Sequence, residues 1–140
     1  SVDLSNVTSI GNEGLNSAFR GCSRLTTMHL DKVTTINFSG LASAFNGCTS
    51  LTSVDLSNVT TISFGGLNAT FSSCRSLTSL SFPALTTSSF GSYSNQFDYM
   101  LSGCSGVTVH FPAAIQSTIG NWSSVTSGFG GTNTTVLFDL

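Results

Sequence analysis

Apolar residues recur along this chain on a 26-residue beat. The segments AFRGCSRLTTMHL, AFNGCTSLTSVDL and TFSSCRSLTSLSF begin at Ala18, Ala44 and Thr70, so every position of one has a counterpart 26 residues on. Aligned, they give apolar columns: Leu25, Leu51, Leu77 and Val107; Met28, Val54, Leu80 and Val109; Leu30, Leu56, Phe82 and Phe111. The last two columns lie two residues apart, so they share one face of a short strand while the residue between them points to water. Val7, Val33, Val59 and Leu85, followed by Ile10, Ile36 and Ile62, read as a second short apolar segment after a bend. Phe38, Phe64 and Phe90 share parity with those Ile residues and are expected in the core. GLNSAF, GLASAF and GLNATF set a Leu ahead of a Phe at helical spacing, which predicts a turn or two of helix ending near Gly21 or Gly47.

Units of this length cannot bury their apolar face alone, and stacking them makes one continuous core. The chain is therefore read as a single repeat-solenoid domain over 1–140, of about five repeats, with parallel strands. The beat fails near the C-terminus. Cys74 to Cys104 spans 30 residues, and the surplus falls in SSFGSYSNQFDYML. Extra residues in a repeat map to a loop on one face, often the binding face, which makes Tyr93 and Tyr99 candidate contacts. Phe97 replaces the column of Leu15, Leu41 and Leu67 and is read as core. The last copy, GFGGTNTTVLFDL, aligns Phe129 with Phe45 and Leu140 with Leu56, setting Thr132 at the Cys position. That loss, and Trp122, mark an atypical terminal copy. The chain opens at SVDLSNV, inside a unit whose counterpart is Ser53–Val59, so it is expected to be excised from a longer protein.

Only 7% of residues are charged, yet no apolar stretch approaches the roughly 20 residues of a membrane helix, so direct membrane insertion is not expected. Ser and Thr carry the polarity, and the eleven Phe argue for a packed interior. Four Lys plus Arg against a net charge of −2 leave no basic patch for nucleic acid or an anionic membrane.

Cys22, Cys48, Cys74 and Cys104 stand at one position of successive copies. Stacked copies about 4.8 Å apart send their Cβ vectors parallel, whereas a disulfide turns its sulfurs toward each other. They are read as a structural ladder of buried free thiols, with no metal, because ligand-spaced CxxC pairs are absent.

The water-facing strand position holds Asp3, His29, Asp55, Ser81, His110 and Asp139. Ser81, His110 and Asp139 follow the order of nucleophile, base and acid, but a triad needs hydrogen-bond contact and an oxyanion pocket, which parallel side chains on an open sheet do not supply. The chain is read as no enzyme, with no catalytic residue, cofactor or metal. Asp3, His29 and Asp55, with Asp31 nearby, are the better proposal, a His flanked by acids one coil away.

The pattern AFxxCxxLxxVxL, followed by its Val and Ile segment, resembles the BspA-like leucine-rich repeats of bacterial cell-surface proteins across nearly the whole chain. The 26-residue period is longer than that family usually shows. The resemblance implies a right-handed leucine-rich-repeat superhelix, α/β but mostly β, with a parallel concave sheet and short helices on the return path. It implies an extracellular or cell-surface location and carries over no catalytic residues. The function expected is a non-enzymatic module for protein–protein interaction or adhesion, its partner an unknown protein or host surface ligand. A carbohydrate-binding module, for which a glycan would be the partner, and a structural spacer are the alternatives.

Overall fold

The computed structural model describes residues 2–87, 95–117 and 122–140. Its regular elements are short: β1 (Ser9–Ile10), β2 (Thr27–His29), β3 (Thr35–Ile36), β4 (Ser53–Asp55), β5 (Thr61–Ile62), β6 (Ser79–Ser81), β7 (Thr108–His110), α1 (Ala113–Gln116), α2 (Trp122–Ser127) and β8 (Thr135–Leu137). The strands pair in parallel as three ladders, β1-β3-β5, β2-β4 and β6-β7-β8. Partners are the residues that the repeat aligns: Met28 with Val54, Ile36 with Ile62, Leu80 with Val109. The chain is a repeat solenoid, mostly strand with few helices, and its core runs along the stack through Leu30, Ile36, Leu56, Ile62, Phe82 and Val109.

The final copy departs from the alignment read in the sequence. β8 joins β7 through Val109 with Val136 and His110 with Leu137, so Val136 rather than Phe138 takes the inward position. Thr132 bridges Ser105, one place past Cys104. Gly130 and Asn133, both left-handed at φ 73° and 53°, tighten this arc and bring β8 in early. Trp122 packs on Phe111 and Phe138, at ring separations of 5.3 and 4.6 Å.

The return path is not helical in the first three coils, contrary to the spacing argument. It is a train of tight turns with a left-handed residue at every fourth position: Ser39, Ser43 and Gly47 in one coil, Gly65, Ala69 and Ser73 in the next. Alternate amides divide their bonds. Ala42 N donates to Ser39 O and Ala44 N to Leu41 O within the coil, while Leu41 N donates to Gly66 O and Ser43 N to Asn68 O of the next coil. The four-residue beat aims Leu41 and Phe45 inward, as one face of a helix would, which is why the spacing misled. Phe19, Phe45 and Phe71 stack through the core at 5.5 and 5.7 Å, with nearly parallel rings. Among the described residues α-helix is confined to α1 and α2, between β7 and β8, with one 3-10 turn at Asn95–Phe97 between β6 and β7.

Phe38 and Phe64 are not core. They are 46% and 51% exposed and stack on each other at 5.9 Å. The strand alternation ends at Ile36, where the chain enters the first tight turn at left-handed Ser39, so parity with Ile36 no longer decides direction. Phe90 lies outside the described residues.

Candidate binding site

The cysteines are all free. Each buried thiol donates to the carbonyl of the aromatic residue one coil back: Cys48 Sγ to Phe19 O, Cys74 Sγ to Phe45 O and Cys104 Sγ to Phe71 O, all at 3.1 Å. Burial raises all three thiols above their usual range, and Cys74 reaches about 12. Cys22 departs from the expected buried ladder. It is exposed, because it lies on the first coil of the structure with no coil stacked on that side. The three buried thiols join successive coils through these bonds.

The outward face of β2, β4, β6, β7 and β8 carries two columns. One is hydroxyl throughout: Thr27, Ser53, Ser79, Thr108 and Thr135. The other is His29 beside Asp55, and Ser81 beside His110 followed by Leu137. Asp139 is not in this column, because the early start of β8 gives its place to Leu137. Its carboxylate nevertheless reaches His110 Nδ1, at 2.9 and 3.0 Å. Ser81 and His110 are register partners, but among the described residues no hydrogen bond joins their side chains.

Asp55 accepts the Ser57 amide at 3.0 Å, and the Ser57 side chain and amide hold its carboxyl below the usual range, with His29 adding to this. Asp3 makes the same local turn with Ser5, at 2.9 Å, and is lowered chiefly by Ser5, with Lys32 and His29 contributing less. Asp31 lies beyond β2, where its backbone carbonyl accepts Asn58 Nδ2. Tyr99 is 63% exposed and left-handed at φ 55°, at a corner of the return path. Phe97 is fully buried, and Tyr93 lies outside the described residues.

One feature of this face was not read from the sequence. The wall is slit between β4 and β6. Among the described residues no backbone hydrogen bond joins 50–59 to 77–85, although Thr52 N donates to Thr26 O (2.8 Å) on one side and Thr108 N to Thr78 O (2.9 Å) on the other. The same two coils are fastened at both ends of the slit, by Ser76 Oγ to Thr49 O at 2.7 Å and by Thr86 N to Thr60 O at 3.1 Å. Here the column of Leu30 and Leu56 changes to Phe82 and Phe111. Phe82 stacks on Phe111 at 5.5 Å and its amide donates to His110 O, which draws β6 toward β7 and away from β4. The signal was present as DLSNV giving way to SFPAL, two kinds of repeat meeting at Phe82 and Pro83. The resulting groove, of about 330 Å³, is lined by Met28, His29, Val54, Asp55, Leu56 and Ser81, with Ser53 and Ser57 beside them. Val54 is only half-buried, whereas its column mates Met28, Leu80 and Val109 are at most 3% exposed.

Among the described residues no helix is long and apolar enough to cross a membrane, and no three His, Cys, Asp or Glu residues gather as a metal site. In comparison with known proteins, a family model described as a BspA type leucine rich repeat region matches residues 1–123 in six copies. No curated protein and no solved structure matches the chain.

Proposed function

The chain belongs to the BspA-type leucine-rich repeat family, and on that premise we propose that it is a non-enzymatic binding module, acting in adhesion at a bacterial cell surface or outside the cell. In this reading the solenoid is a right-handed superhelix whose strand ladder is the concave face. A protein partner lies across that face, touching the columns of His29, Asp55, Ser81 and His110, with Tyr99 as a corner contact. Asp3 and Asp31 flank the first two coils, and Tyr93, outside the described residues, is a further proposed contact.

The observation that supports this most is register. Equivalent outward side chains are locked side by side over successive coils, with His29 against Asp55 and Ser81 against His110. A surface built this way is broad, polar and rigid, which suits recognition of another surface better than it suits bond-making on a small substrate. The test is binding of the purified chain to immobilised host extracellular proteins, compared with a variant carrying His29→Ala, Asp55→Ala, Ser81→Ala and His110→Ala. Loss of binding in the variant supports the reading. Binding that is unchanged in the variant moves the interface elsewhere, and silence of the wild type across proteins and glycans favours a spacer.

A carbohydrate ligand is the second reading. The hydroxyl columns on either side of the slit, Thr27 with Ser53 and Ser79 with Thr108 and Thr135, favour it, since neutral donors and acceptors in a row suit a polyhydroxyl chain.

A further inference from the structure

We propose that the slit between β4 and β6 is a binding site for a secondary amide group, presented as the N-acetyl group of an amino sugar. The inference rests on the reading of the chain as a binding module, and it names a ligand class that the protein–partner reading does not require. The coils on either side are zipped at this level, by Thr52 N to Thr26 O and by Thr108 N, one place further along its coil, to Thr78 O. The equivalent pair here is the Thr78 amide and the Thr52 carbonyl, and no bond joins them. The slit therefore leaves the facing edges of β4 and β6 unjoined, and each edge of a parallel strand carries both amide donors and carbonyl acceptors.

A group that joins such edges both accepts and donates, as a secondary amide does. Its carbonyl takes a backbone amide of one edge and its N–H a backbone carbonyl of the other, restoring the ladder through the ligand. The floor is apolar. Val54, Met28 and Leu56 line it, and Val54 is the one member of its column from coils one to four that the slit uncovers. A methyl group on the amide carbonyl finds its contact there. The rim is made of hydroxyls and hydrogen-bonding side chains, Ser53, Ser57 and Ser81 with His29 and Asp55, and so offers a sugar ring both donors and acceptors. A volume of about 330 Å³ lies at the small end of ligand pockets. Because the coils are fastened at Ser76–Thr49 and Thr86–Thr60, the slit is bounded at both ends, which excludes a long inserted strand and favours a compact group.

The experiment is a titration of the ¹⁵N-labelled chain with the trimer of N-acetylglucosamine, the trimer of glucosamine, and a peptide N-acetylated and amidated at its ends. The result expected is amide shifts gathered at residues 52–57 and 78–82 with the acetylated sugar, and binding weaker by about tenfold or more without the acetyl group. Val54→Phe, which fills the groove from its half-exposed floor, should abolish those shifts. The wild-type shift map stands as an independent readout should that variant fold poorly. Equal binding of both sugars, shifts elsewhere on the chain, or response to the peptide alone overturns the proposal. Silence toward the sugar while the host-protein assay stays positive overturns this inference and leaves the protein-binding reading standing.

Discussion

The thiol of Cys74 donates to the backbone carbonyl of Phe45, one coil back, at 3.1 Å, with both residues fully buried. The cysteine is thus a clamp between coils. It ties a turn residue to the aromatic stack beneath it, in a place too dry for water to serve.

Cys74→Ala leaves the Phe45 carbonyl without that donor and opens a small void. A loss of about 1–3 kcal/mol is expected, and Cys74→Ser, which keeps a donor, should lose less. Urea unfolding of the two variants against wild type measures the difference, and equal losses would mean that the hydrogen bond contributes nothing.

Alkali should loosen the fold. An unfolded thiol ionises near 9.0, while the folded Cys74 thiol keeps its proton to about 12, so between these values the folded state binds more protons. Stability contributed by the buried thiol is present below pH 9 and falls as pH rises through that window, at up to about 1.4 kcal/mol per pH unit. Cys48 and Cys104 shift in the same direction. Unfolding midpoints measured from pH 8 to 11 should decline. In native buffer near neutral pH a thiol reagent should label Cys22 quickly and the other three only on unfolding.

Backbone handedness sets the next expectation. Ala69 sits at φ 50° and Gly47 at φ 77°, equivalent kinds of corner in successive coils. Gly47→Ala should cost about 1–2 kcal/mol, since nothing but the conformation opposes the new methyl group, whose nearest neighbour lies at 3.6 Å. Ala69→Gly should be neutral to stabilising by up to about 1 kcal/mol, the strain relieved outweighing the added freedom of the unfolded chain. Thermal melts of both variants check the sign.

Phe64 and Phe71 lie on the same return path but differ in their surroundings, the first half in water and the second fully buried against Phe45. Phe71→Ala should cost about 3–5 kcal/mol and Phe64→Ala no more than about 1 kcal/mol. Comparable losses in denaturant titrations would contradict the exposed stack.

Asp55 owes its lowered pKa first to Ser57. Because the folded carboxyl ionises more readily than the unfolded one, its contribution to stability is present above the unfolded value of 3.8 and is lost as pH falls through the folded value. Ser57→Ala should move the Asp55 carboxyl resonance titration upward, toward 3.8. No movement would remove the local turn as the cause.

The inward strand columns were legible because burial and register speak through the same alternation. Met28 meets Val54 and Leu80 meets Val109 as the alignment requires. The return path was legible in its composition but not its conformation, since a four-residue turn repeat and a helix both bring Leu41 and Phe45 to one side. Phe38 and Phe64 were misplaced because parity holds only while the chain stays extended. On the candidate site, His29 and Asp55 were brought together as expected. The slit beside them was not foreseen, because it arises from a change of side-chain size at Phe82 that acts across coils rather than along the chain.

The alternation of amides on the return path imposes a reading frame. Deleting one residue just after Ser39 would carry the left-handed corners of Ser43 and Gly47 onto Ala44 and Cys48, and every amide beyond it that now crosses to the next coil would point into its own. Length on this path can therefore change only by whole turns of four residues, and only if the adjoining coils change with it. The coil is copied as a unit because no smaller piece of it can be edited alone.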